Sequence, residues 1–249
     1  EIDGYLALGS FQKFKEIEGR SWRICHRALE NLHDPQLNAE AERIRSEIIP
    51  SGNKLILGCL GREEKLLSDD YARALAEILS QVPNAVFVWT GRSKDPRVVE
   101  MFEAAGIADR CVFVGWINTR VYAQVLDIFV DSFPFASGLT AFETMAAGRP
   151  VVAMVTSEAL GTGFLNHIWP AFSGAAVIEP EVHAAVRDLF TDEDGEVLLP
   201  FVEDYEAYVG IAVRLAHDVV FRRKAGDAAR QFVENFMYDE VAMAGTFAS

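Results

Sequence analysis

The residues with the clearest chemical potential lie at 131–150, in the stretch DSFPFASGLTAFETMAAGRP. An apolar strand precedes it, and a helix is predicted to begin at Leu139 and Thr140. A helix N-terminus offers free N–H groups and the positive end of the helix dipole, and both favour an anion. Glu143 lies three residues after Thr140, so both side chains project from nearly the same side of that helix. Because a carboxylate one turn beyond a phosphate site can accept hydrogen bonds from ribose hydroxyls, the stretch predicts a nucleotide site.

The predicted phosphate ligands are the hydroxyls of Ser137 and Thr140 together with the backbone amides of Gly138, Leu139 and Thr140. Turns of small residues also occur for packing alone, so the turn by itself is only moderately specific. It is not a G-x-x-x-x-G-K-[ST] loop, and no G-x-G-x-x-G follows a predicted strand. These two absences from the sequence count against an NTPase and against a nicotinamide enzyme.

A second cluster follows the predicted strand at 54–60 and reads GREEK, residues 61–65. Arg62 can bind a diphosphate through a bidentate fork, and Lys65 can bind it as a point charge. The alternative is an exposed turn in which the two cations pair with the neighbouring glutamates. The spacing leaves both interpretations open.

A third cluster, VGWI at 114–117, follows another predicted strand. A glycine and an aromatic ring at a strand end can form a slot for a planar base. The alternative is that Trp116 caps the hydrophobic core. The five histidines show no metal-ligand spacing, so no zinc site is expected, and only His167 merits a test as a catalytic group.

Strands and helices alternate after residue 54, which predicts an α/β fold: a Rossmann-like, doubly wound parallel sheet. Two further helices are predicted at its C-terminal end, at 204–220 and 221–236, and two near the N-terminus, at 21–31 and 36–49. The predicted domain spans 51–249, and 1–50 is a lead-in segment. The predicted strands are 54–60, 85–90, 111–114, 128–130 and 151–155, and the helices between them are 68–81, 96–105 and 119–126.

Composition narrows the class of protein further. A net charge of −14 argues against a nucleic-acid groove and against an anionic membrane surface. No apolar run is long enough for a transmembrane helix. The three cysteines are far apart, and Cys59 and Cys111 lie in apolar runs, which favours buried free thiols and a reducing, cytoplasmic compartment. Because the chain begins with Glu1, we expect it to be a piece of a longer protein.

Four segments together resemble the C-terminal half of a GT-B glycosyltransferase: GCLGREEK, QVPNAVFVWTG, DRCVFVGW and DIFVDSFPFASGLTAFETMAAGRPVV. The resemblance covers roughly residues 40–236. Within the superfamily the chain is most similar to the O-GlcNAc transferase and the related bacterial protein glycosyltransferases. That similarity rests on the spacing of Asp131 and Glu143 and on the late stretch EDYEAYVGIAVRLAHDVVFRRK.

The resemblance implies a donor domain that binds a UDP-sugar without a metal or cofactor. Lys65, with Arg62, would neutralise the diphosphate, 137–140 would cradle the phosphates, Glu143 would bind the ribose, and Trp116 would contact the base. A missing N-terminal domain would bind a protein or glycan acceptor, so this chain alone would turn over poorly.

Retaining enzymes of the sucrose- and glycogen-synthase type carry a glutamate eight positions before the ribose glutamate, where this chain has Phe135. The sequence therefore assigns no catalytic group and no stereochemical outcome. Three alternatives stay open: a polysaccharide- or lipid-directed GT-B transferase, an epimerase of the same fold, and a non-catalytic domain that binds nucleotide or partners.

Overall fold

The computed structural model describes residues 35–49, 54–162, 164–173 and 180–237. The helix predicted at 21–31 lies outside these ranges. Within them, no helix is both long enough and apolar enough to cross a membrane.

Six parallel strands form the sheet, in the spatial order β3-β2-β1-β4-β5-β6. The apolar strands at the centre are buried on both faces, as expected for a parallel sheet covered by helices on each side. Successive strands are added on one side of β1 as far as β3 and on its other side from β4 onward, so the strand order reverses between β1 and β4. In open α/β sheets, ligands bind at such a switch point. The strands are β1 (Leu55–Cys59), β2 (Ala85–Trp89), β3 (Cys111–Phe113), β4 (Ile128–Val130), β5 (Val151–Met154) and β6 (Phe201–Val202).

Two groups of helices pack on the sheet. One contains α1, α4, α5 and α9, and the other contains α2 and α8. Side-chain acceptors begin most of the long helices: Ser68 caps α2, Asp204 caps α8 and Asp218 caps α9. The helices are α1 (Pro35–Ile48), α2 (Asp69–Gln81), α3 (Pro96–Ala104), α4 (Thr119–Val125), α5 (Leu139–Ala146), α6 (Ser157–Thr162), α7 (Pro180–Leu189), α8 (Tyr205–His217) and α9 (Val219–Phe232).

The Rossmann-like fold is confirmed, with the five predicted strands and with α2, α3, α4 and α5 close to their predicted bounds. Strand β6 and helices α6 and α7 were not predicted. The break between the last two helices falls at Asp218, not after Val220 as predicted. Asp218 causes it, because its N–H bonds the Arg214 carbonyl at 2.8 Å while its carboxylate accepts the Phe221 N–H at 2.9 Å.

Helix α1 is tied to the sheet through one arginine. The Arg45 guanidinium donates to the Val125 carbonyl and to Asp127 Oδ2, each at 2.7 Å. The same Asp127 oxygen accepts the N–H of Ile56 in β1 at 2.8 Å. Residues 35–49 therefore pack on the domain. The predicted division of the chain at residue 50 stays a prediction, because 1–34 and 50–53 lie outside the described ranges.

Candidate functional site

The loops that follow β1, β2, β3 and β4 meet at the carboxyl edge of the sheet, where the sequence places its candidate residues. Six cationic side chains lie in these loops or in the first helical turn that follows them, on a chain with a net charge of −14. They are Arg62, Lys65, Arg92, Lys94, Arg97 and Arg120, and the same loops and turns carry six carboxylates, Glu63, Glu64, Asp69, Asp70, Asp95 and Asp131. The edge is therefore less acidic than the chain as a whole, and its cations can meet an anionic ligand there.

The loop between β4 and α5 is folded around the buried carboxylate of Asp131. Asp131 accepts the N–H of Ser137 at 2.9 Å and the N–H of Ser132 at 3.0 Å. Burial raises the pKa of Asp131 to about 6, although these hydrogen bonds and the charge of Lys65 oppose the rise. The Ser137 hydroxyl lies beside this carboxylate, but no partner among the described residues meets it in hydrogen-bonding geometry. The loop thereby sets where α5 begins.

Helix α5 begins at Leu139, as predicted, and its N-terminus has no side-chain cap. Gly138 occupies the N-cap position and has no side chain to accept the amides of the first turn. Gly138, Leu139 and Thr140 are half-buried, so this turn is partly open to solvent. This arrangement suits an anion, as the sequence predicted.

Lys65 joins the β1 loop to the β4 loop. It lies in the 3-10 turn Glu63–Leu66, and its Nζ donates to the Ala136 carbonyl at 2.6 Å. Ala136 is two residues before the N-cap of α5, so the structure brings Lys65 to the predicted phosphate-binding turn. Arg62 is exposed at the start of the same 3-10 turn.

The alternative interpretation of this turn, an exposed segment whose cations pair with the neighbouring glutamates, does not hold for Glu63. The side chain is buried and accepts the backbone N–H of Arg92 at 2.9 Å and both the N–H and the hydroxyl of Ser93 at 3.3 Å. Burial raises the pKa of Glu63, but hydrogen bonds from its own backbone N–H and from the Arg92 and Ser93 groups outweigh it and hold the pKa below its usual range. Glu63 therefore fastens the β1 loop to the β2 loop.

Thr90 adds a second link between the same two loops. Its hydroxyl accepts the Gly61 N–H and donates to the Gly61 carbonyl, both at 2.8 Å. Gly91 allows the close approach, since a Cβ there would lie 2.6 Å from a Glu63 carboxylate oxygen. These contacts fix the turn that carries Lys65.

Glu143 is buried in the first turns of α5, with 4% of its surface exposed. Burial raises its pKa to about 7, against the opposing effects of a hydrogen bond from the Thr119 side chain and of the Arg120 charge. The Oε2 atom has no hydrogen-bond partner among the described residues. A buried carboxylate oxygen without a partner is costly, and a ligand hydroxyl would remove that cost.

Trp116 does not cap the core, because 73% of its surface is exposed. The Arg92 guanidinium lies 5.9 Å from the centre of its ring. Three residues further on, the Thr119 side chain lies beside Glu143, so the loop that carries Trp116 reaches the predicted ribose site. The Trp116 loop and the first turns of α5, which carry Glu143, therefore lie next to each other at the carboxyl edge of the sheet.

Phe135 is also exposed at this edge, with 52% of its surface open to solvent. It stands two residues before Ser137, and its carbonyl accepts the Ser132 hydroxyl at 3.1 Å. Cys59 and Cys111 are free, as predicted, but only Cys59 is fully buried and Cys111 is partly buried; burial raises the pKa of each thiol to about 12.

The predictions for His167 and for a metal site concern residues that the structure describes only in part. The His167 side chain lies outside what the structure describes. In the described ranges, no three His, Cys, Asp or Glu side chains gather as a metal ion would require.

Four residues of this site were missed by the sequence reasoning: Glu63, Thr90, Arg92 and Thr119. Each makes a contact with a loop distant in sequence. The available signal was position, because each lies at the end of a predicted strand, in the loop after one, or at the start of a predicted helix at the ligand-binding edge.

The fold and the edge residues together define a Rossmann-like α/β domain with its ligand-binding features at the carboxyl ends of the strands. The chain belongs to the family "Glycosyl transferases group 1", whose model matches residues 54–192.

Two curated relatives are similar in sequence. The 2-deoxystreptamine N-acetyl-D-glucosaminyltransferase of Streptomyces fradiae is 31% identical over 205 residues, which cover 72% of this chain and 48% of that protein. The lipopolysaccharide core biosynthesis mannosyltransferase LpsB of Rhizobium meliloti is 33% identical over 109 residues, covering 40% of this chain and 31% of that protein. The matches therefore span about half, or less, of the relatives' lengths.

Solved structures confirm the fold. The C-terminal domain of a group 1 glycosyl transferase (LpcC) from Francisella tularensis superposes with a TM-score of 0.51 at 19% identity, covering 76% of this chain and 91% of that one. An O-GlcNAc transferase mutant from Thermobaculum terrenum gives 0.57 at 15% identity, covering 78% and 35%. HepE from Anabaena, in complex with UDP and glucose, gives 0.58 at 15% identity, covering 84% and 51%.

Proposed function

We propose that this chain is the donor-binding domain of a glycosyltransferase and that it binds a nucleotide sugar, with UDP as the nucleotide. One observation carries the proposal: the Lys65–Ala136 hydrogen bond, which holds a cation at the uncapped start of α5. The unpartnered oxygen of Glu143 one turn further on supports it. A cation, a helix N-terminus and a carboxylate acceptor in this sequence suit a diphosphate followed by a ribose.

Each predicted residue has a role in the proposal. Lys65 and Arg62 neutralise the diphosphate, and Ser137, Gly138, Leu139 and Thr140 cradle its phosphates. Glu143 accepts hydrogen bonds from the ribose hydroxyls. Trp116 contacts the base, and the exposed ring beside Arg92 supports that assignment.

The same contacts would assist the reaction. When the glycosyl bond breaks, negative charge develops on the departing nucleoside diphosphate, and fixed cations and N–H groups stabilise it. This role needs charge compensation rather than a proton. A second domain, proposed to precede this one, would supply the acceptor site. The chain's partial coverage of its relatives supports that division, so we expect the isolated chain to bind donor and to turn over poorly.

Two acceptor classes remain in the proposal. A protein acceptor follows from the resemblance to the O-GlcNAc transferases. A glycan or small-molecule acceptor is favoured by the relative named as a 2-deoxystreptamine glycosyltransferase, which matches 72% of this chain. We place the reaction in the cytoplasm, and the free thiols of Cys59 and Cys111 support a reducing compartment.

Thermal unfolding with UDP, GDP and ADP tests nucleotide binding. A ligand at a hundred times its Kd stabilises the native state by about 2.7 kcal/mol. For a domain of this size that corresponds to a rise in Tm of roughly 5–10 °C. We expect the rise with UDP. No shift with any of the three nucleotides at millimolar concentration would refute the proposal.

Lys65→Ala tests the phosphate role. Loss of a charge-assisted hydrogen bond should weaken UDP binding roughly 10- to 100-fold. Lys54→Ala is the matched control, because Lys54 is an exposed lysine directly before β1, at the opposite edge of the sheet. Equal affinities for the two variants would remove Lys65 from the site.

A further inference from the structure

One peptide group in the loop between β4 and α5 is held at both ends by opposite charges. The Lys65 ammonium donates to the Ala136 carbonyl oxygen at 2.6 Å. The Asp131 carboxylate accepts the N–H of the next residue, Ser137, at 2.9 Å. This carbonyl and this N–H belong to the same planar peptide unit, so the two charged groups together fix its orientation. The unit directly precedes Gly138, the N-cap of α5.

The fold carries the charge of Asp131 at a cost in stability. The residue is 1% exposed, and burial raises its pKa to about 6, although hydrogen bonds from Ser137 and the charge of Lys65 oppose the rise. A raised pKa means that the ionised carboxylate destabilises the folded chain above that pH. A neutral side chain of the same shape would suit the fold better, so the charge at this position points to a role other than stability.

Four titratable groups face the Asp131 carboxylate from the surrounding elements. They are Cys59 at the end of β1, Lys65 in the 3-10 turn, Tyr71 in α2 and Tyr208 in α8. Burial raises the pKa of Cys59 to about 12 and raises the pKa of each tyrosine well above its ordinary value. Among the two tyrosines, the cysteine and Asp131, only the Asp131 carboxyl therefore changes its charge between pH 5 and pH 7.

We propose that Asp131 is a positioning residue for donor binding: its ionised carboxylate holds the turn before α5 in the orientation in which residues 138–140 present their N–H groups to the diphosphate. The inference rests on the proposed function and extends it to a residue buried beneath the turn. When Lys65 turns from the Ala136 carbonyl to the diphosphate, the hydrogen bond to Asp131 still holds this peptide unit. A turn without that hold would have to become ordered on binding, which lowers the apparent affinity.

The first test compares Asp131→Asn with the wild-type chain at pH 8, by calorimetry with UDP and by thermal unfolding without it. Asparagine has nearly the same shape but one acceptor oxygen and no charge, so UDP binding should weaken roughly tenfold. Tm should not fall, because the substitution removes a buried charge that costs stability. A residue that only maintains the fold would instead lose affinity and Tm together.

Asp127→Asn is the matched control, because Asp127 directly precedes the same strand, β4, at the opposite edge of the sheet. Its carboxylate accepts from the Arg45 guanidinium at 2.7 Å and from the N–H of Ile56 at 2.8 Å. Loss of this ion pair should lower Tm and leave the Kd of UDP unchanged. That pattern is the reverse of the one expected for Asp131→Asn.

The second test protonates Asp131 without replacing it. UDP-glucose and UDP-N-acetylglucosamine are the probes, since their diphosphates do not titrate in this range, and Glu143→Gln is the background, since Glu143 has a pKa of about 7. Protonation removes the charge that holds the turn, so the Kd of this variant should rise at least threefold, and up to about tenfold, from pH 7 to pH 5. The double variant Asp131→Asn/Glu143→Gln should show no such rise.

The outcomes separate this inference from the proposed function. If the wild-type chain binds neither UDP nor a UDP-sugar, the proposed function fails and the inference fails with it. If UDP binds but Asp131→Asn keeps the wild-type Kd, or loses affinity and Tm together, only the inference is overturned. The same holds if Glu143→Gln and the double variant have parallel pH profiles.

Discussion

Glu143 should make donor binding depend on pH in a defined window. Its pKa is raised by burial to about 7, from an ordinary value of 4.5. If ribose hydroxyls donate to the carboxylate, the donor binds the ionised form. Ionisation falls from about 90% at pH 8 to about 10% at pH 6 for such a group, so Kd should rise roughly tenfold, or about 1.4 kcal/mol.

The suitable ligand is a UDP-sugar, because its diphosphate is esterified at both ends and does not titrate in this range. Calorimetry at pH 6, 7 and 8 gives Kd, and buffers of different ionisation enthalpy report proton release on binding. Glu143→Gln should bind more weakly at pH 8 and should lose its share of the pH dependence. Asp131, with a pKa of about 6, is present in both proteins, so its contribution cancels in the difference. Parallel pH profiles for the two proteins would refute the ribose role.

The raised pKa also predicts how the unliganded chain responds to pH. A carboxyl group with a folded pKa above its unfolded value holds more protons in the folded state, so its contribution to stability falls as pH rises from about 4.5 to about 7. Above that window the cost is about 3 kcal/mol. Glu143→Gln should therefore raise Tm at pH 8 in the absence of donor. A lower Tm at pH 8 would mean that the carboxylate has a partner it needs for folding.

Two further predictions concern the elements that position the site. Glu63→Gln should destabilise the chain by about 1–3 kcal/mol in denaturant unfolding, because an amide cannot accept the N–H groups of the β2 loop as a carboxylate does. The control is Glu64→Gln at an exposed position, which should change the stability little. Equal losses for the two variants would contradict the role given to Glu63. Gly226→Ala should destabilise α9, because a Cβ there would collide with the Gly148 carbonyl. Gly210→Ala in α8 meets open space and should stabilise by up to about 1 kcal/mol, so two changes of the same sign would be inconsistent with the packing described.

Local signals predicted the central fold correctly. Ser68 was predicted to begin α2, and its hydroxyl accepts the Tyr71 N–H. The small residues that precede Leu139 likewise predicted the start of α5 there. Strand β6 was missed because it has only two residues, Phe201–Val202, and its partner β5 lies far away in sequence.

The sequence predicts which residues belong to the site, but it does not predict the contacts they make. Position after a strand selected Lys65 and Glu143, yet nothing local shows that Lys65 binds Ala136 or that Thr119 lies beside Glu143. The alternative for Trp116 failed for the same reason, because whether an aromatic residue at a strand end packs inward depends on distant neighbours. Glu63 looked like a surface charge, since its acceptors belong to the next loop.

Tyr208 of α8 limits where the domain can be cut. Tyr208 is fully buried, and its hydroxyl donates at 2.6 Å to the carbonyl of Asp131, the residue around which the phosphate-binding loop is folded. The part of the chain that matches the family, 54–192, ends before β6, α8 and α9 begin. A fragment trimmed to that match would lose the edge strand β6. It would also lose Tyr208, so the Asp131 carbonyl would be left without this hydrogen bond and exposed to water. The segment by which relatives are recognised is thus shorter than the unit that must fold.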